Sequence, residues 1–361
     1  MKILIDIGHP AHVHYFRNLA ELFVREGSDV LFTTRDKEVA VKLLNHFGLK
    51  YVNFGKPFKS RIGKLWGLFW FTLRLFLVAV RFKPDIYLNA TQYSAFVAWL
   101  FRKPHISLED TFNSEQVRLF LPFTSVVLTG NYNHPDLGRK QITYSGYQEL
   151  AYLHPLRFKP DPRIKSDLGI GPNERYVILR FIAWKASHDF GSRRLTLEQK
   201  GELIRELEKA AVVFISSEAD LPVEFTKYRL NVPPHKIHDV LAFASLYVGE
   251  GATMASECAM LGTPAIYINQ QNQQDRYYIC EQEQKYGLIF SHDNIDAVIK
   301  KSTEMLANND VKKTFNQKRD QMLADKIDVT AFLVWFVERY PESLRTMRKN
   351  PEYQLKFKAS V

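Results

Sequence analysis

Residues 246–269 read LYVGEGATMASECAMLGTPAIYIN. The apolar run Leu246–Gly249 predicts a strand, Gly249-Glu250-Gly251 a tight turn, and a helix beginning near Thr253 and running over Met254–Leu261. Gly262-Thr263-Pro264 then leads into a second strand, Pro264–Asn269. A strand, a glycine turn, a helix and another strand in so short a span make a βαβ unit, the building block of a parallel sheet. The turn is also a chemical feature. Backbone N–H groups and the positive end of the helix dipole converge there, which suits a diphosphate. Glu257, one turn into the helix, can accept hydrogen bonds from vicinal hydroxyls such as those of a ribose. The plainer alternative is a tight connection in which the glycines serve geometry alone and Glu257 is solvated.

The same alternation extends in both directions. Upstream, Lys2–Gly8, Asp29–Thr34, Tyr51–Phe54, Asp85–Asn89, His105–Leu108 and Ser125–Thr129 read as short buried strands, with helical patterns over His14–Glu26 and Glu38–Phe47. The Pro-rich, charged stretch His154–Pro172 disfavours either regular element and marks a boundary. Beyond it the pattern restarts with strands at Tyr176–Phe181 and Ala211–Ser216 and helices at Thr196–Lys209 and His238–Phe243. Near the end, Ile295–Leu306, Val311–Leu323 and Ala331–Arg339 read as helices, followed by a basic, frayed tail. The expected fold is α/β: two Rossmann-like, doubly wound parallel-sheet domains facing across a cleft. One domain spans residues 1–158 and the other 173–330, and 331–361 are a closing helix and tail.

The length, 361 residues, agrees with two domains at about 150 residues each. Hydrophobic residues make up 46 % and charged residues 24 %, which excludes wholesale disorder, collagen-like repeats and a disulfide scaffold. Two cysteines, Cys258 and Cys280, give neither zinc-finger spacing nor a disulfide framework. The N-terminus reads as a strand and lacks the features of a signal peptide. The expected compartment is the cytoplasm. Lys and Arg exceed Asp and Glu by 49 to 39, a net charge of +10, which favours anionic partners. No base-reading motif points to nucleic acid.

Three histidines follow the first strand, in Gly8-His9-Pro10-Ala11-His12-Val13-His14. Ligands of open α/β sheets collect at the carboxyl ends of strands, and each histidine can act as acid, base or donor near neutral pH. They could instead cap the next helix or bond carbonyls. A metal is the weaker reading, since no cysteine or carboxylate pattern accompanies them. In the second half, Arg180 and Lys185 stand at the end of the strand in VILRFIAWKASHD and could neutralise a leaving diphosphate. Ser216 ends the neighbouring strand. Ser187-His188-Asp189 are adjacent in sequence and therefore do not form a triad.

Leu65–Val80, LWGLFWFTLRLFLVAV, has 16 residues and carries Arg74, whereas a spanning helix needs about 20 mostly uncharged ones. Ser60, Gly67, Arg74 and Arg81 form a seven-residue polar seam, and Lys59, Arg61, Lys64, Arg81 and Lys83 flank the run. Two readings stay open. One is a core helix with its seam in water. The other is a surface helix dipping Trp66, Phe69, Trp70 and Leu73 into an anionic bilayer interface.

GEGATMASECAMLGTPAIYIN resembles the donor-binding segment of the GT-B glycosyltransferase superfamily, and within it that of the bacterial peptidoglycan transferases that add N-acetylglucosamine to a lipid-linked intermediate. His12-Val13 resembles the end of their N-terminal loop, and Glu109-Asp110 falls at a short acidic motif. HPAHVHYF together with SGYQELAYLHP is similar to an uncharacterised family of bacterial and archaeal proteins of about 350 residues. That family is grouped with GT-B transferases and the non-hydrolysing nucleotide-sugar 2-epimerases. The resemblance implies that Glu257 binds the donor ribose and that Gly249, Gly251, Ala252, Thr253 and Met254 border the diphosphate. Gln273, Gln274 and Asp275 would approach the sugar. His12 would be the general base, with His9, His14 and Glu109 as further catalytic candidates. It implies metal-independent, cofactor-free sugar transfer from a nucleotide-diphosphate sugar to a glycan or lipid-linked acceptor in cell-surface polysaccharide synthesis, at the inner face of the membrane. The competing readings are nucleotide-sugar epimerisation or hydrolysis, and a non-catalytic basic module that binds membranes or polyanions.

Overall fold

The computed structural model describes the chain except at residues 36–37, 57, 59, 182–194, 218–219, 270–276 and 359–361. It divides into two compact units, residues 1–157 with 326–361, and residues 158–325.

Among the described residues, the first unit holds strands β1 (Lys2–Ile7), β2 (Asp29–Thr34), β3 (Tyr51–Asn53), β4 (Ile86–Leu88), β5 (His105–Leu108), β6 (Val126–Gly130) and β7 (Gln141–Tyr144). They form one sheet in the order β3-β2-β1-β4-β5-β6-β7, and every pairing is parallel. Strands covered on both faces need apolar residues at successive positions. Ile3, Leu4 and Ile5 of β1 and Val126, Val127 and Leu128 of β6 accordingly have no exposed surface. Helices α1 (Pro10–Arg25), α2 (Glu38–His46), α3 (Arg61–Phe82), α4 (Gln92–Leu100), α5 (Ser114–Phe120) and α6 (Leu150–Leu153) follow strands of this sheet.

Helix α1 begins at Pro10, ahead of the expected His14. His9 is its N-cap, its Nδ1 accepting from the Ala11 N–H at 3.2 Å. Pro10 occupies the first turn, where a missing N–H costs nothing. His12 therefore sits on the helix, within its first turn, and not in a loop.

His105 lies at the centre of this sheet, fully buried, between the hydroxyls of Ser94 (2.9 Å from Nε2) and Thr124 (2.8 Å from Nδ1). Burial drives its imidazole from the ordinary 6.5 down to about 3. Between those values the unfolded chain binds one proton more than the folded one, so stability falls as pH drops below about 6.5, by up to about 1.4 kcal/mol per pH unit. Urea denaturation at pH 6.5 and pH 5 should show wild type losing about 2 kcal/mol more over that interval than His105→Gln. Equal losses would place the acid sensitivity elsewhere.

The second unit holds β8 (Tyr176–Arg180), β9 (Val212–Ser216), β10 (Leu246–Gly249), β11 (Ala265–Ile268) and β12 (Ile289–His292), in the order β12-β11-β10-β8-β9, again all parallel. Its helices are α7 (Ile164–Asp167), α8 (Leu197–Glu208), α9 (Ile237–Phe243), α10 (Ala252–Leu261), α11 (Tyr277–Gln284), α12 (Ile295–Ala307) and α13 (Val311–Asp325).

The C-terminal residues return to the first unit. Helix α14 (Val329–Glu338) is capped by Asp328, which also pairs with Arg157 at 2.5 Å. Phe332, Leu333 and Phe336 of α14 are buried, and the helix packs on α1 and α6. The tail expected to fray instead forms α15 (Glu342–Lys349) and a 3-10 turn, Pro351–Phe357, whose Gln354 accepts from the Ser145 N–H at 2.6 Å.

Helix α3 exposes Trp66, Phe69 and Leu73, as in the second of its two readings, but not Trp70. Gly67 of the polar seam is buried, where a Cβ would lie 2.9 Å from the Phe58 ring. Arg74 lies over the rings of Phe54 and Trp70. Trp70 packs against the core cluster around Phe71, Leu75 and Ala79, so it does not belong to the exposed face on which it was expected. The stripe that does face water is apolar. No helix among the described residues is long and apolar enough to cross a membrane.

Candidate functional site

In each sheet the strand order reverses at one point, and the loops there carry the polar residues of interest. In an open α/β sheet that reversal opens a crevice beyond the carboxyl ends of two neighbouring strands.

In the second unit the reversal lies between β8 and β10. Arg180, the last residue of β8, is in register with Gly249, the last of β10. A Cβ at Gly249 would come 2.6 Å from the Arg180 carbonyl oxygen, so only glycine lets the two backbones approach. The Glu250 N–H donates to that carbonyl at 2.9 Å. The Tyr247 hydroxyl, which burial keeps protonated by pushing its pKa well up, donates to the Gly251 carbonyl at 3.0 Å and fixes the turn. Gly251 is the N-cap of α10 and has no side chain with which to cap the first turn, and no acidic residue occupies that turn. The N–H groups around Ala252, Thr253 and Met254 therefore face outward with the dipole behind them. Arg180 reaches the same place. Its Nε is 3.5 Å from where a Cβ on Gly251 would stand, and its Nη1 donates to Ser216 Oγ at 3.2 Å. A guanidinium held over an uncapped helix N-terminus concentrates positive charge.

One turn further, Glu257 is buried and accepts from His238 Nε2 at 3.0 Å. His238, on α9, is itself buried, so the pair holds the carboxylate in one orientation. A carboxylate has about four acceptor positions, and His238 Nε2 takes one of them. His238 was not among the residues expected from sequence. Only its place inside a predicted helix hinted at a buried polar role. Lys185, Gln273, Gln274 and Asp275 lie outside the described residues. An open groove of about 570 Å³, lined by Arg175, Glu208, Lys227 and Tyr228 among others, lies at the other end of β8 and β9, away from these residues.

In the first unit the reversal lies between β1 and β4. Asp6 of β1 has no exposed surface. It accepts from Thr33 Oγ1 at 2.8 Å, Thr91 Oγ1 at 2.5 Å and both terminal nitrogens of Arg35 at 3.2 Å. The Arg35 guanidinium lies 4.5 Å from the Tyr93 ring centroid. Asn89, directly after β4, adopts φ +94, a conformation Asn tolerates better than most residues. Its Oδ1 accepts from the Ala90 N–H at 2.9 Å, and its Nδ2 donates to the Asp6 carbonyl at 2.7 Å and to His12 Nδ1 at 2.8 Å. The Gly8 N–H also donates to His12 Nδ1, at 3.2 Å. A nitrogen facing two N–H donors must carry a lone pair, so the proton of His12 is on Nε2. That is the opposite tautomer from the one in which Nε2 accepts a proton.

The other candidates are placed elsewhere in this unit. His9 is exposed and caps α1. His14 is buried, stacked on Tyr152 with centroids 5.3 Å apart, and reads as a core residue. Glu109 is buried after β5, and its Oε1 accepts from Thr111 N, Thr111 Oγ1 and Phe112 N at 2.8–2.9 Å. Burial raises its pKa, and these bonds oppose the rise. It braces its own turn. Among the described residues no three His, Cys, Asp or Glu side chains gather into a metal-binding group.

The family described as "Protein of unknown function (DUF354)" matches residues 1–331. An uncharacterized protein of Methanocaldococcus jannaschii is 23 % identical over 335 residues, covering 89 % of this chain and 92 % of the relative. Among solved structures, the UDP-GlcNAc 2-epimerase of Neisseria meningitidis bound to UDP-GlcNAc matches with TM-score 0.64 and 16 % identity, over 87 % of this chain and 94 % of that one. The Streptomyces sp. SF2575 glycosyltransferase SsfS6 matches with TM-score 0.59 and 15 % identity, over 94 % and 100 %. At these identities the likeness is one of fold: two parallel-sheet α/β units as in GT-B glycosyltransferases and the 2-epimerases.

Proposed function

The chain belongs to the DUF354 family, and from that premise and the two strand-order reversals we propose that it is an enzyme acting on a nucleoside-diphosphate sugar. Arg180 beside the uncapped N-terminus of α10, with the buried Glu257–His238 pair one turn on, is the observation that carries this reading. The first group suits a diphosphate and the second the two hydroxyls of a ribose. As the bond from the anomeric carbon to the diphosphate breaks, negative charge grows on the departing oxygen. The α10 N–H groups and Arg180 are positioned to stabilise it without a metal. Transfer of the sugar to an acceptor hydroxyl is the fate we propose, with the water-facing apolar stripe of α3 supporting an acceptor carried on lipid.

The tautomer of His12 supports a second fate. A histidine with its proton on Nε2 is set to donate, whereas deprotonating an acceptor hydroxyl at that atom needs a lone pair there. Donation suits epimerisation of the nucleotide sugar, in which no acceptor hydroxyl is activated. Asn89→Asp separates the two fates. A carboxylate facing Nδ1 takes its N–H and moves the lone pair to Nε2. If His12 works as a base, this variant should gain turnover or keep it. If His12 works as a donor, turnover should fall about 10²-fold, with the tautomer change visible in imidazole ¹⁵N shifts. Wild type should meanwhile convert members of a panel of nucleotide sugars, releasing nucleoside diphosphate only with acceptor in the transfer case, and yielding an epimerised nucleotide sugar, or free sugar and nucleoside diphosphate, without acceptor in the other. No conversion of any of them under either condition would overturn the reading.

A further inference from the structure

Helix α3 turns Phe71, Leu75 and Ala79 to the core. On its opposite side, Trp66, Phe69, Leu73, Leu77 and Val80 are between 37 % and 59 % exposed. At 100° per residue these five fall within about 80° of arc, a single stripe about 21 Å long at 1.5 Å per residue. Helix α4 packs beside α3, tied at its end by the stacked rings of Phe76 and Phe101, and adds exposed Trp99 and Leu100. Seven large apolar side chains on two adjoining helices exceed what scattered surface residues need explain.

The charge around the stripe is of one sign. Between residues 55 and 84 the sequence holds seven Lys and Arg and no Asp or Glu. Arg81 and Lys83, at the end of α3, and Arg102 and Lys103, just past Leu100, are exposed. A second copy of the chain docking through the same face would set these cations against each other, since a two-fold interface pairs a patch with itself. An anionic surface meets them favourably, and tryptophan is the side chain that best suits the boundary between headgroups and acyl chains.

We infer that the α3–α4 face seats the protein on an anionic lipid bilayer, with the α3 stripe lying in the plane of the interface. This stands on the surface alone and is tested without nucleotide, so it survives failure of the sugar-nucleotide reading, and the converse holds too. The full chain should sediment with phosphatidylcholine vesicles containing phosphatidylglycerol, less with phosphatidylcholine alone, and less again as salt rises. Trp66→Ser/Phe69→Ser/Trp99→Ser should lower partitioning by at least about tenfold with an unchanged melting temperature. Val24→Ser, an exposed apolar site on α1, should leave it unchanged. Partitioning of the triple variant equal to wild type, or no sedimentation with anionic vesicles, would overturn the inference. So would a concentration-dependent dimer that the triple variant loses while lipid binding is absent, which would assign the face to a second copy.

Discussion

Arg35→Leu will destabilise the first unit by about 3–5 kcal/mol, because it strands a fully buried carboxylate. Asp6 sits in the middle of β1 with no exposed surface, and Arg35 supplies its only cationic partner among the described residues. The two hydroxyls from Thr33 and Thr91 cannot replace a charge in that setting. A loss of that size is a large fraction of a typical domain's stability of about 5–15 kcal/mol, so the midpoint of urea unfolding should move far. Asp6→Leu with Arg35→Leu should cost much less than the sum of the single changes, since removing both charges removes the desolvation burden too. Additive losses would show that the pair is not energetically coupled. Because the Asp6 carbonyl also holds Asn89, which in turn holds His12, Arg35→Leu should disturb the His12 ¹⁵N signals as well.

Glu257→Ala will weaken nucleoside-diphosphate binding about 100-fold. Two hydroxyls donating to a buried carboxylate contribute about 1.5 kcal/mol each, and about 1.4 kcal/mol is a factor of ten. The same change removes the acceptor for His238 Nε2 in a buried place and so should cost about 1–3 kcal/mol of stability in the second unit. Glu257→Gln keeps an acceptor for His238 while removing the charge. It should restore most of the stability yet recover only part of the affinity, about tenfold below wild type. Titration calorimetry with uridine diphosphate reads this affinity directly, and thymidine diphosphate, which lacks the 2′-hydroxyl, should lose only about tenfold. Wild-type affinity in Glu257→Ala would remove Glu257 from the nucleotide site.

The alternation of apolar runs and amphipathic stretches was enough to read the two parallel sheets from sequence, because β1, β6, β8 and β9 each carry three or four successive Val, Ile, Leu or Phe residues. The strands that escaped, QITY in β7 and IFSH in β12, are short and half polar and lie at the ends of their sheets. The α10 turn was legible because its chemistry is local, all within nine residues. The surroundings of His12 were not, since its proton is placed by Gly8 and by Asn89, 77 residues away. Asp6 interrupts an otherwise apolar strand, and a charge in such a place demands a partner. The polar seam of α3 does not mark its solvent face, since the core there accepts a glycine against Phe58 and an arginine lying over rings, whereas Trp66, Phe69 and Leu73, which the second reading put outside, are exposed.

The return of residues 326–361 to the first unit has a consequence for synthesis. The second unit is one continuous segment, 158–325, whereas the first needs the segments on both sides of it, 1–157 and 326–361. Domains usually fold as units, N-terminal first, as they leave the ribosome. Here the first 157 residues emerge early yet lack α14, whose Thr330 hydroxyl bonds the Ala151 carbonyl and whose Phe332 and Phe336 are fully buried. The later-made unit is thus the first that can be completed, and the nascent sheet of the first unit must wait, part of its apolar surface open to chaperones, until residues 326–361 have emerged.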